Sequence, residues 1–207
     1  MAALPPIGGA ATNHCYMCLE SDHDVICGGC ACRGSAGFGH LCCFISSATH
    51  GHWTRWRDCA TCKQQFTGSV QLGLAKARWA LDVDKPREND DKLWAQDLLA
   101  KALRDASQYD ASMALYEECV AIKRIKLGDE HRETLASLNN LAGCYSKTGR
   151  LGQTKAEVLF REVLEVKRRR FGDTHPDTLI LIGNLGAPLP TTRVVIGPWL
   201  CTEPVVS

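Results

Sequence analysis

The sequence predicts a small cysteine-rich domain that folds around metal ions, followed by an all-α domain of helical-hairpin repeats. Nine of the twelve cysteines lie between residues 15 and 62, whereas residues 70–186 are dominated by Ala, Leu, Glu, Lys and Arg. Two segments within the second part also repeat each other. The change of composition after Phe66 therefore marks a boundary between two kinds of structure.

The overall composition excludes several classes of protein. The formal net charge of +1 is too small to argue for nucleic acid, a membrane surface or an acidic substrate. Residues 1–12 have no basic n-region, and no segment approaches the apolar run of about 18 residues that a membrane span needs. We expect a soluble intracellular protein that is located in the cytoplasm or, as the alternative, in the nucleus. Without a secretory signal, the cysteines are expected to bind metal and not to form disulfides.

Four short pairs of cysteine and histidine lie in the first third of the chain. Zinc prefers four tetrahedral ligands drawn from thiolate and imidazole, and a short pair can aim both ligands at one ion. The pairs are Cys15/Cys18, Cys30/Cys32, His40/Cys43 and Cys59/Cys62. Eight ligands make two closed sites, so we expect two structural zinc ions. Since a closed site leaves no position for water or substrate, no catalytic residue is assigned.

The spacing of these pairs, Cys-x-Cys-x7-His-x2-Cys, resembles the RING-CH class of RING fingers, as in membrane-associated ubiquitin ligases. The motifs CACRGSAGFGHLCC and CATCKQQF carry the resemblance, within residues 15–66. It implies a zinc-stabilised RING-like fold in which the ligand pairs interleave. One zinc ion would then bind Cys15, Cys18, His40 and Cys43, and the other Cys30, Cys32, Cys59 and Cys62.

Other ligand sets remain open at this point. Cys27 and Cys42 are near enough to replace an assigned ligand. The alternative is that both are buried or spare thiols that bind no metal. A PHD-type finger would use Cys27 with Cys30, but the nine residues between Cys30 and His40 are more than such fingers have. The remaining histidines of this region are expected at the surface or supporting a ligand: His14, His23, His50 and His52.

The RING-CH resemblance also implies an activity. Such proteins act as ubiquitin ligases: they dock a ubiquitin-conjugating enzyme and hold its thioester-linked ubiquitin in a reactive arrangement, a transferase activity by positioning. The positions that would contact the conjugating enzyme are Met17, Phe44 and Lys63. One departure from the family is Ser47, which replaces a common tryptophan, with Trp53 and Trp56 nearby.

A helix and a linker are predicted to join the two parts. Apolar residues follow helical spacing from Val70 to Val83, and the segment 85–89 then breaks the pattern with proline and charge. The predicted boundaries are a flexible N-terminus at 1–12, the zinc finger at 13–69, the connecting helix and linker at 70–90, the repeats at 91–186, and a disordered or irregular tail at 187–207.

The second part contains an internal repeat with an offset of 44 residues, since residues 115–141 recur as 159–185. Each unit reads as a helix stopped by a glycine, a short Asp-x-His link and a second helix. One such pair cannot bury both apolar faces alone, so neighbouring pairs must stack, and residues 91–127 supply an earlier, more degenerate pair. Lys155 and Ala156 look like a small insertion.

These repeats resemble the tetratricopeptide repeats of kinesin light chains, through LGDEHRETLASLNNLAGCYSKTGRL and FGDTHPDTLILIGNL. The resemblance implies a groove between stacked helix pairs that recruits a protein or peptide substrate. Asn140 and Asn184 would bind the peptide there, or would instead satisfy loop carbonyls. The basic runs Lys123-Arg124 and 167–170 lie at helix C-termini, where cations meet the helix dipole favourably. Nucleic acid is therefore not expected as a partner.

Three functions stay open, in this order: a ubiquitin ligase, a non-enzymatic zinc-finger and repeat scaffold for protein–protein interaction, and a nucleic-acid binder that uses the basic helix ends.

Overall fold

The computed structural model describes residues 14–20, 25–27, 29–30, 32 and 37–185. The predicted N-terminal segment 1–12 and tail 187–207 lie outside these residues. The described part contains two strands, β1 (Val25–Cys27) and β2 (Phe38–His40), and a 3-10 helix at Trp53–Trp56. Its α-helices are α1 (Leu41–Thr49), α2 (Gly68–Asp82), α3 (Asp90–Asp105), α4 (Tyr109–Leu127), α5 (Arg132–Tyr145), α6 (Gly149–Phe171) and α7 (Pro176–Asn184).

The strands and α1 form the centre of the cysteine-rich domain. β1 and β2 pair antiparallel, with Val25 opposite His40. β2 runs directly into α1, so that His40 is both the last residue of the strand and the N-cap of the helix. Phe44 and Ala48, one helical turn apart, form the buried face of α1. The strand and the helix together fix the spacing between His40 and Cys43.

The hydrophobic core is continuous across the boundary of composition. α2 occupies the segment in which helical spacing predicted a helix, and it buries Val70, Leu74 and Ala75. These side chains share one core with the cysteine-rich domain and with α3. The other members of the core are Phe44, Ala48, Trp56, Cys59, Phe66, Leu98, Leu99, Ala102 and Leu103. The cysteine-rich domain is therefore packed onto the first helices of the repeats.

The helices from α3 to α5 form packed hairpins. α3 packs against α2 and α4, and α4 against α5. The Asn89 side chain caps α3 by accepting a hydrogen bond from the Lys92 backbone N–H at 3.2 Å. Gly128 directly follows α4 and Gly172 directly follows α6, with φ of 91° and 81°. These are the left-handed glycines that the sequence predicts at the helix ends.

The recurring histidine of the repeat caps the second helix of each unit. His131 precedes α5, and its Nδ1 atom accepts a hydrogen bond from the Glu133 backbone N–H at 3.3 Å. His175 does the same for α7, accepting from the Asp177 N–H at 3.2 Å. The Asp-x-His link recurs because each helix needs an acceptor for its first free N–H groups.

The chain divides into two compact units between residues 159 and 160. Lys155 and Ala156 lie inside α6, a continuous helix of 23 residues, so the apparent insertion lengthens a helix and opens no loop. In the second unit the rings of Phe171 and His175 stack at 4.8 Å, and Leu181 and Ile182 are buried. None of the helices in the described residues carries an apolar stretch that could cross a lipid bilayer.

Candidate metal centres and interaction surfaces

Within the described residues, eight cysteine and histidine side chains gather in two clusters. The first cluster is Cys15, Cys18, His40 and Cys43, and the second is Cys30, Cys32, Cys59 and Cys62. The candidate ligand atoms of each cluster all lie within 4.8 Å of one another. Each cluster joins alternate pairs along the chain, first with third and second with fourth. The side chains that the sequence assigned to each ion are thus brought together.

The distances in both clusters suit a tetrahedral ion. In the first, the His40 Nδ1 atom lies 3.3 Å from the Cys18 Sγ atom and 3.8 Å from the Cys43 Sγ atom. In the second, the Sγ atoms of Cys32 and Cys59 lie 3.5 Å apart. A tetrahedral zinc ion with Zn–S bonds of about 2.3 Å separates two sulfurs by about 3.8 Å, and a sulfur from an imidazole nitrogen by about 3.6 Å.

Two loops of the same backbone geometry deliver the outer cysteine pairs. In the first, the Cys15 N–H donates to the Glu20 carbonyl at 2.9 Å and the Leu19 N–H donates to the Cys15 carbonyl at 2.8 Å. In the loop that begins at Cys59, the two equivalent hydrogen bonds measure 2.8 and 3.0 Å. The residue after each second cysteine has positive φ, 66° at Leu19 and 61° at Lys63. Such φ values are costly for side chains other than glycine and mark a constrained loop.

Backbone N–H groups point at sulfurs in these loops and at the sulfur of Cys30. The N–H two residues further along the chain donates to the sulfur of Cys15, Cys18, Cys30 and Cys62. Hydrogen bonds of this kind stabilise the thiolate form, which is the form that binds a metal ion. The loops are therefore built to present thiolates.

The pKa values within each cluster diverge. Burial opposes ionisation of Cys15, but the N–H groups directed at its sulfur outweigh burial and lower its pKa to about 6. The Gln64 N–H is the main cause that lowers the pKa of Cys62, also to about 6. Burial, together with neighbouring thiols, raises the pKa of Cys43 and of Cys32 to about 12. Only a nearby cation would let all the thiols of a cluster ionise together.

The donor types, the distances and the N–H groups therefore fit zinc, and both clusters are compatible with it.

The other cysteines and histidines of this region do not join either cluster within the described residues. Cys42 is exposed on α1 and belongs to neither cluster. The side chains of Cys27 and His23 lie outside what the structure describes. His50 and His52 are exposed, bonding to the Ser46 carbonyl and the Thr54 N–H respectively, and His14 is exposed as well.

The three predicted contact residues for a conjugating enzyme differ in exposure. Met17 is half-buried and Lys63 is exposed, with its Nζ atom donating to the Ala60 carbonyl at 2.6 Å. Phe44 is only 5% exposed and packs edge-on against Tyr16 and Phe66. The expectation that Phe44 contacts a partner stays a prediction; its side chain belongs mainly to the core and also lines a small depression.

A small depression lies beside these residues, between the two cysteine loops and α1. Its volume is about 10 Å³, and its lining includes Met17, Ser47 and Ala60 above Phe44. A space of that size holds little more than one water molecule. This notch is too small to hold a small-molecule ligand.

The asparagines predicted to bind a peptide lie in different surroundings. Asn140 on α5 is half-buried, and its Oδ1 atom accepts a hydrogen bond from Arg104 on α3 at 2.8 Å. Asn184 is exposed at the end of α7. Asn140 thus already links two helices of the first unit through its oxygen.

The basic helix ends carry acidic partners. Arg124 pairs with Asp129 at 3.3 Å, and the equivalent Arg168 pairs with Asp173 at 2.7 Å. The aspartate of the Asp-x-His link therefore neutralises an arginine in each unit. This pairing agrees with the expectation that these residues serve the helix ends.

A larger cavity, which the sequence analysis did not identify, lies where the cysteine-rich domain meets the repeats. This junction groove has a volume of about 540 Å³ and is lined by Trp53, by Arg78 of α2, and by residues of α3, α4 and α5. The rings of Trp53 and Trp94 meet edge to face at 5.9 Å. The Arg78 guanidinium lies over Trp94 at 5.3 Å. Two tryptophans 41 positions apart give no local sequence signal that they form one surface.

Comparisons with known proteins identify the helical part of the chain. Residues 91–153 match one family model of the tetratricopeptide repeat, and residues 134–177 match another. These residues form a helical domain of the tetratricopeptide-repeat type, and such repeats bind protein partners. Neither match reaches the cysteine clusters. No curated protein matches the sequence significantly.

Solved structures similar to this chain include a crystal structure of Podosopora anserina putative kinesin light chain nearly identical TPR-like repeats. It is 28% identical, with a TM-score of 0.51, and the match covers 55% of this chain and 54% of that one. A single-substitution variant of the same protein is 26% identical, with a TM-score of 0.50, and the match covers 55% and 53%. The chain thus spans about half the length of these structures.

Proposed function

We propose that this chain is a RING-CH-type ubiquitin-protein ligase that acts by positioning and recruits its substrate through the tetratricopeptide repeats. One observation carries the proposal. The pairs that converge are alternate ones, so that Cys18 shares a cluster with His40 across the intervening pair Cys30/Cys32. Independent fingers would join consecutive pairs, whereas interleaving is what the RING-CH resemblance implies.

The eight clustered side chains would hold two structural zinc ions. Zinc supplies folding free energy here, on the order of 10 kcal/mol for each structural site. Four protein ligands fill each site, which leaves no position for water or substrate. The chain's own contribution to the reaction is then the surface that the two sites hold in place.

The docking surface would be the notch between the two cysteine loops. Met17 and Phe44 line the notch, and Lys63 follows the last ligand on the opposite loop. A conjugating enzyme would pack an apolar side chain over the notch, against Met17. Because Phe44 is mostly buried, Met17 and Lys63 are the more exposed contact candidates.

The repeats would bind the protein substrate. Stacked helix pairs form grooves suited to peptides, and Asn140 and Asn184 stay as candidates for binding a peptide backbone. The Asn140 side-chain nitrogen would have to do so, since the oxygen already accepts from Arg104.

Discharge of ubiquitin from a panel of conjugating enzymes tests the proposal. We expect the purified zinc-loaded chain to accelerate discharge, and Met17→Ala to slow it by about tenfold or more while zinc content is unchanged. Ile45→Ala is the matched control, because Ile45 is another half-buried apolar residue packed on the same core but does not line the notch. Equal rates for the two variants would contradict a docking role for the notch.

The second candidate is a non-enzymatic scaffold that uses the same zinc domain and repeats to join proteins. The burial of Phe44 and the presence of Ser47 in place of tryptophan favour it, since both reduce the apolar surface available to a conjugating enzyme. Failure to discharge ubiquitin from every enzyme of a broad panel would contradict the ligase and favour the scaffold.

A further inference from the structure

The charges that line the junction groove are distributed unequally between its rim and its interior. The side chains of Asp90, Asp91 and Glu133 are 87%, 61% and 63% exposed. The two cations of the lining, Arg78 and Lys123, are only 17% and 3% exposed. A partner that approaches the groove therefore meets carboxylates first.

The rim carboxylates have lysine neighbours, but these pairs do not close the groove. Asp91 meets Lys85 at 2.8 Å and Arg78 at 3.7 Å. Asp90 pairs with Lys126, and Glu133 lies 3.9 Å from Lys123. Exposed ion pairs are worth little in water, so a partner's cation can compete for the same carboxylates. An acidic partner would have to cross this rim to reach the buried cations.

The aromatic part of the groove offers apolar surface to a partner. The Trp53 side chain is 52% exposed, although it packs against Trp94. Arg57 already lies over the Trp53 ring at 5.9 Å, and Arg78 over Trp94 at 5.3 Å. Indole rings attract lysine and arginine side chains and also bury their apolar stems.

We propose that the junction groove binds a basic segment of a protein partner, in which lysine or arginine residues alternate with apolar ones. The partner's cations meet Asp90, Asp91 and Glu133, and its apolar side chains pack on Trp53 and Trp94. The inference rests on the recruiting role assigned to the repeats, and it names the class of substrate. Because Trp53 belongs to the cysteine-rich domain, the repeats alone do not form the complete site.

Fluorescence anisotropy with defined peptides tests the proposal on the full zinc-loaded chain. The probe is a fluorescein-labelled peptide of alternating lysine and leucine residues with a central tryptophan, compared with the same peptide carrying glutamate for every lysine. We expect the lysine peptide to bind, its affinity to fall as salt is raised, and the glutamate peptide not to bind.

Matched variants locate the binding site. Glu133→Gln should weaken the lysine peptide about threefold, and Trp53→Ala about tenfold or more. The controls are Asp110→Asn, an exposed carboxylate in the first turn of α4, and Leu81→Ala, an exposed apolar residue of α2. Neither lines the groove, and both should bind as the parent chain does. Zinc content and helical circular dichroism, measured on every variant, separate loss of binding from loss of fold.

Equal binding of the two peptides, no binding of the lysine peptide, or unchanged affinity in Glu133→Gln and Trp53→Ala would overturn the proposal. The ligase proposal is tested separately, because ubiquitin discharge needs no substrate peptide. A chain that discharges ubiquitin without binding the lysine peptide retains the ligase and loses only this substrate class.

Discussion

The Thr67 backbone N–H and the Thr67 hydroxyl both donate to the carbonyl oxygen of Gly29, at 3.1 and 2.6 Å. Gly29 directly precedes the ligand candidate Cys30, and Thr67 is the N-cap position of α2. The approach is so close that a Cβ atom at position 29 would overlap the Thr67 carbonyl oxygen. These hydrogen bonds thus join the loop of the second cluster to Thr67, the residue directly before the connecting helix α2.

Gly29→Ala is expected to lower the free energy of unfolding by about 2–4 kcal/mol, because the methyl group both collides with Thr67 and resists a φ of +60°. Chemical denaturation measures the loss. Gly68→Ala is the matched control: its φ is +63° but nothing lies within 4 Å, so it should cost only about 1 kcal/mol. Equal losses would mean that the contact with Thr67 does not matter.

Removal of the metal should loosen helices beyond the cysteine-rich domain. Cys59 and Trp56 belong to the same core as Leu74 and Leu99, so loss of the zinc-bound fold exposes one side of α2 and α3. Hydrogen exchange measured before and after chelation should show faster exchange in both helices, with α5 changed least. If exchange increased only before residue 67, the shared core would not couple the two parts.

The positive φ of Leu19 predicts an unusual response to substitution. Leu19 is 77% exposed, so its side chain contributes little packing. Leu19→Asn should preserve the thermal stability of the zinc-loaded chain, because asparagine tolerates the left-handed region. Leu19→Val should lower the free energy of unfolding by about 1–2 kcal/mol, because a β-branched side chain tolerates that region least. A valine variant as stable as the asparagine variant would contradict the loop geometry.

The histidine caps of the repeats can be tested in one unit. His131→Ala removes the acceptor for the Glu133 N–H and should cost about 1 kcal/mol in urea denaturation. His131→Asn supplies another acceptor and should retain most of that stability. If both substitutions proved neutral, the recurring histidine would have a role other than capping.

Lys123 and Asp97 form a mostly buried ion pair that also includes Ser137, at 3.1 Å from the Lys123 Nζ atom. Burial lowers the pKa of Lys123, but Asp97 outweighs burial and raises it above 10.5. The contribution of this ion pair to the free energy of unfolding should therefore be fully present below pH 10.5. It should be lost as the pH rises through the pKa of Lys123 in the folded state. Asp97→Asn removes the nearer carboxylate and leaves the buried lysine only Glu133, 3.9 Å away, so it should cost about 3 kcal/mol at neutral pH.

Denaturation at neutral and alkaline pH measures both effects. The control is Asp91→Asn, which removes a carboxylate from an exposed pair with Lys85 and should change stability much less. An Asp97→Asn variant as stable as this control at neutral pH would show that Lys123 does not depend on its partner.

Local patterns predicted much of the structure. The spacing of cysteine and histidine identified the side chains that cluster, because a short pair on one loop converges whatever the rest of the chain does. Helical spacing located α2, and Gly128 marked the end of α4 because the left-handed position there suits glycine. These features depend on residues close together in sequence.

Contacts between distant residues could not be predicted in this way. The RING-CH resemblance implied that Phe44 meets a partner, but its ring packs edge-on against Tyr16 and Phe66, which lie far from it in the sequence. The groove depends on Trp53 meeting Trp94, and on the packing that brings α3 against the cysteine-rich domain. The sequence around Trp53 gives no indication of its contact with Trp94, and the sequence around Trp94 gives none of its contact with Trp53.

The most direct test of the central claim is the zinc content of paired cysteine variants by native mass spectrometry. The parent chain should hold two zinc ions. Cys18→Ser combined with Cys43→Ser removes ligands of one cluster and should leave one ion, whereas Cys18→Ser combined with Cys62→Ser should leave none. A parent chain without zinc, or loss of both ions in the Cys18→Ser, Cys43→Ser variant, would contradict two interleaved sites.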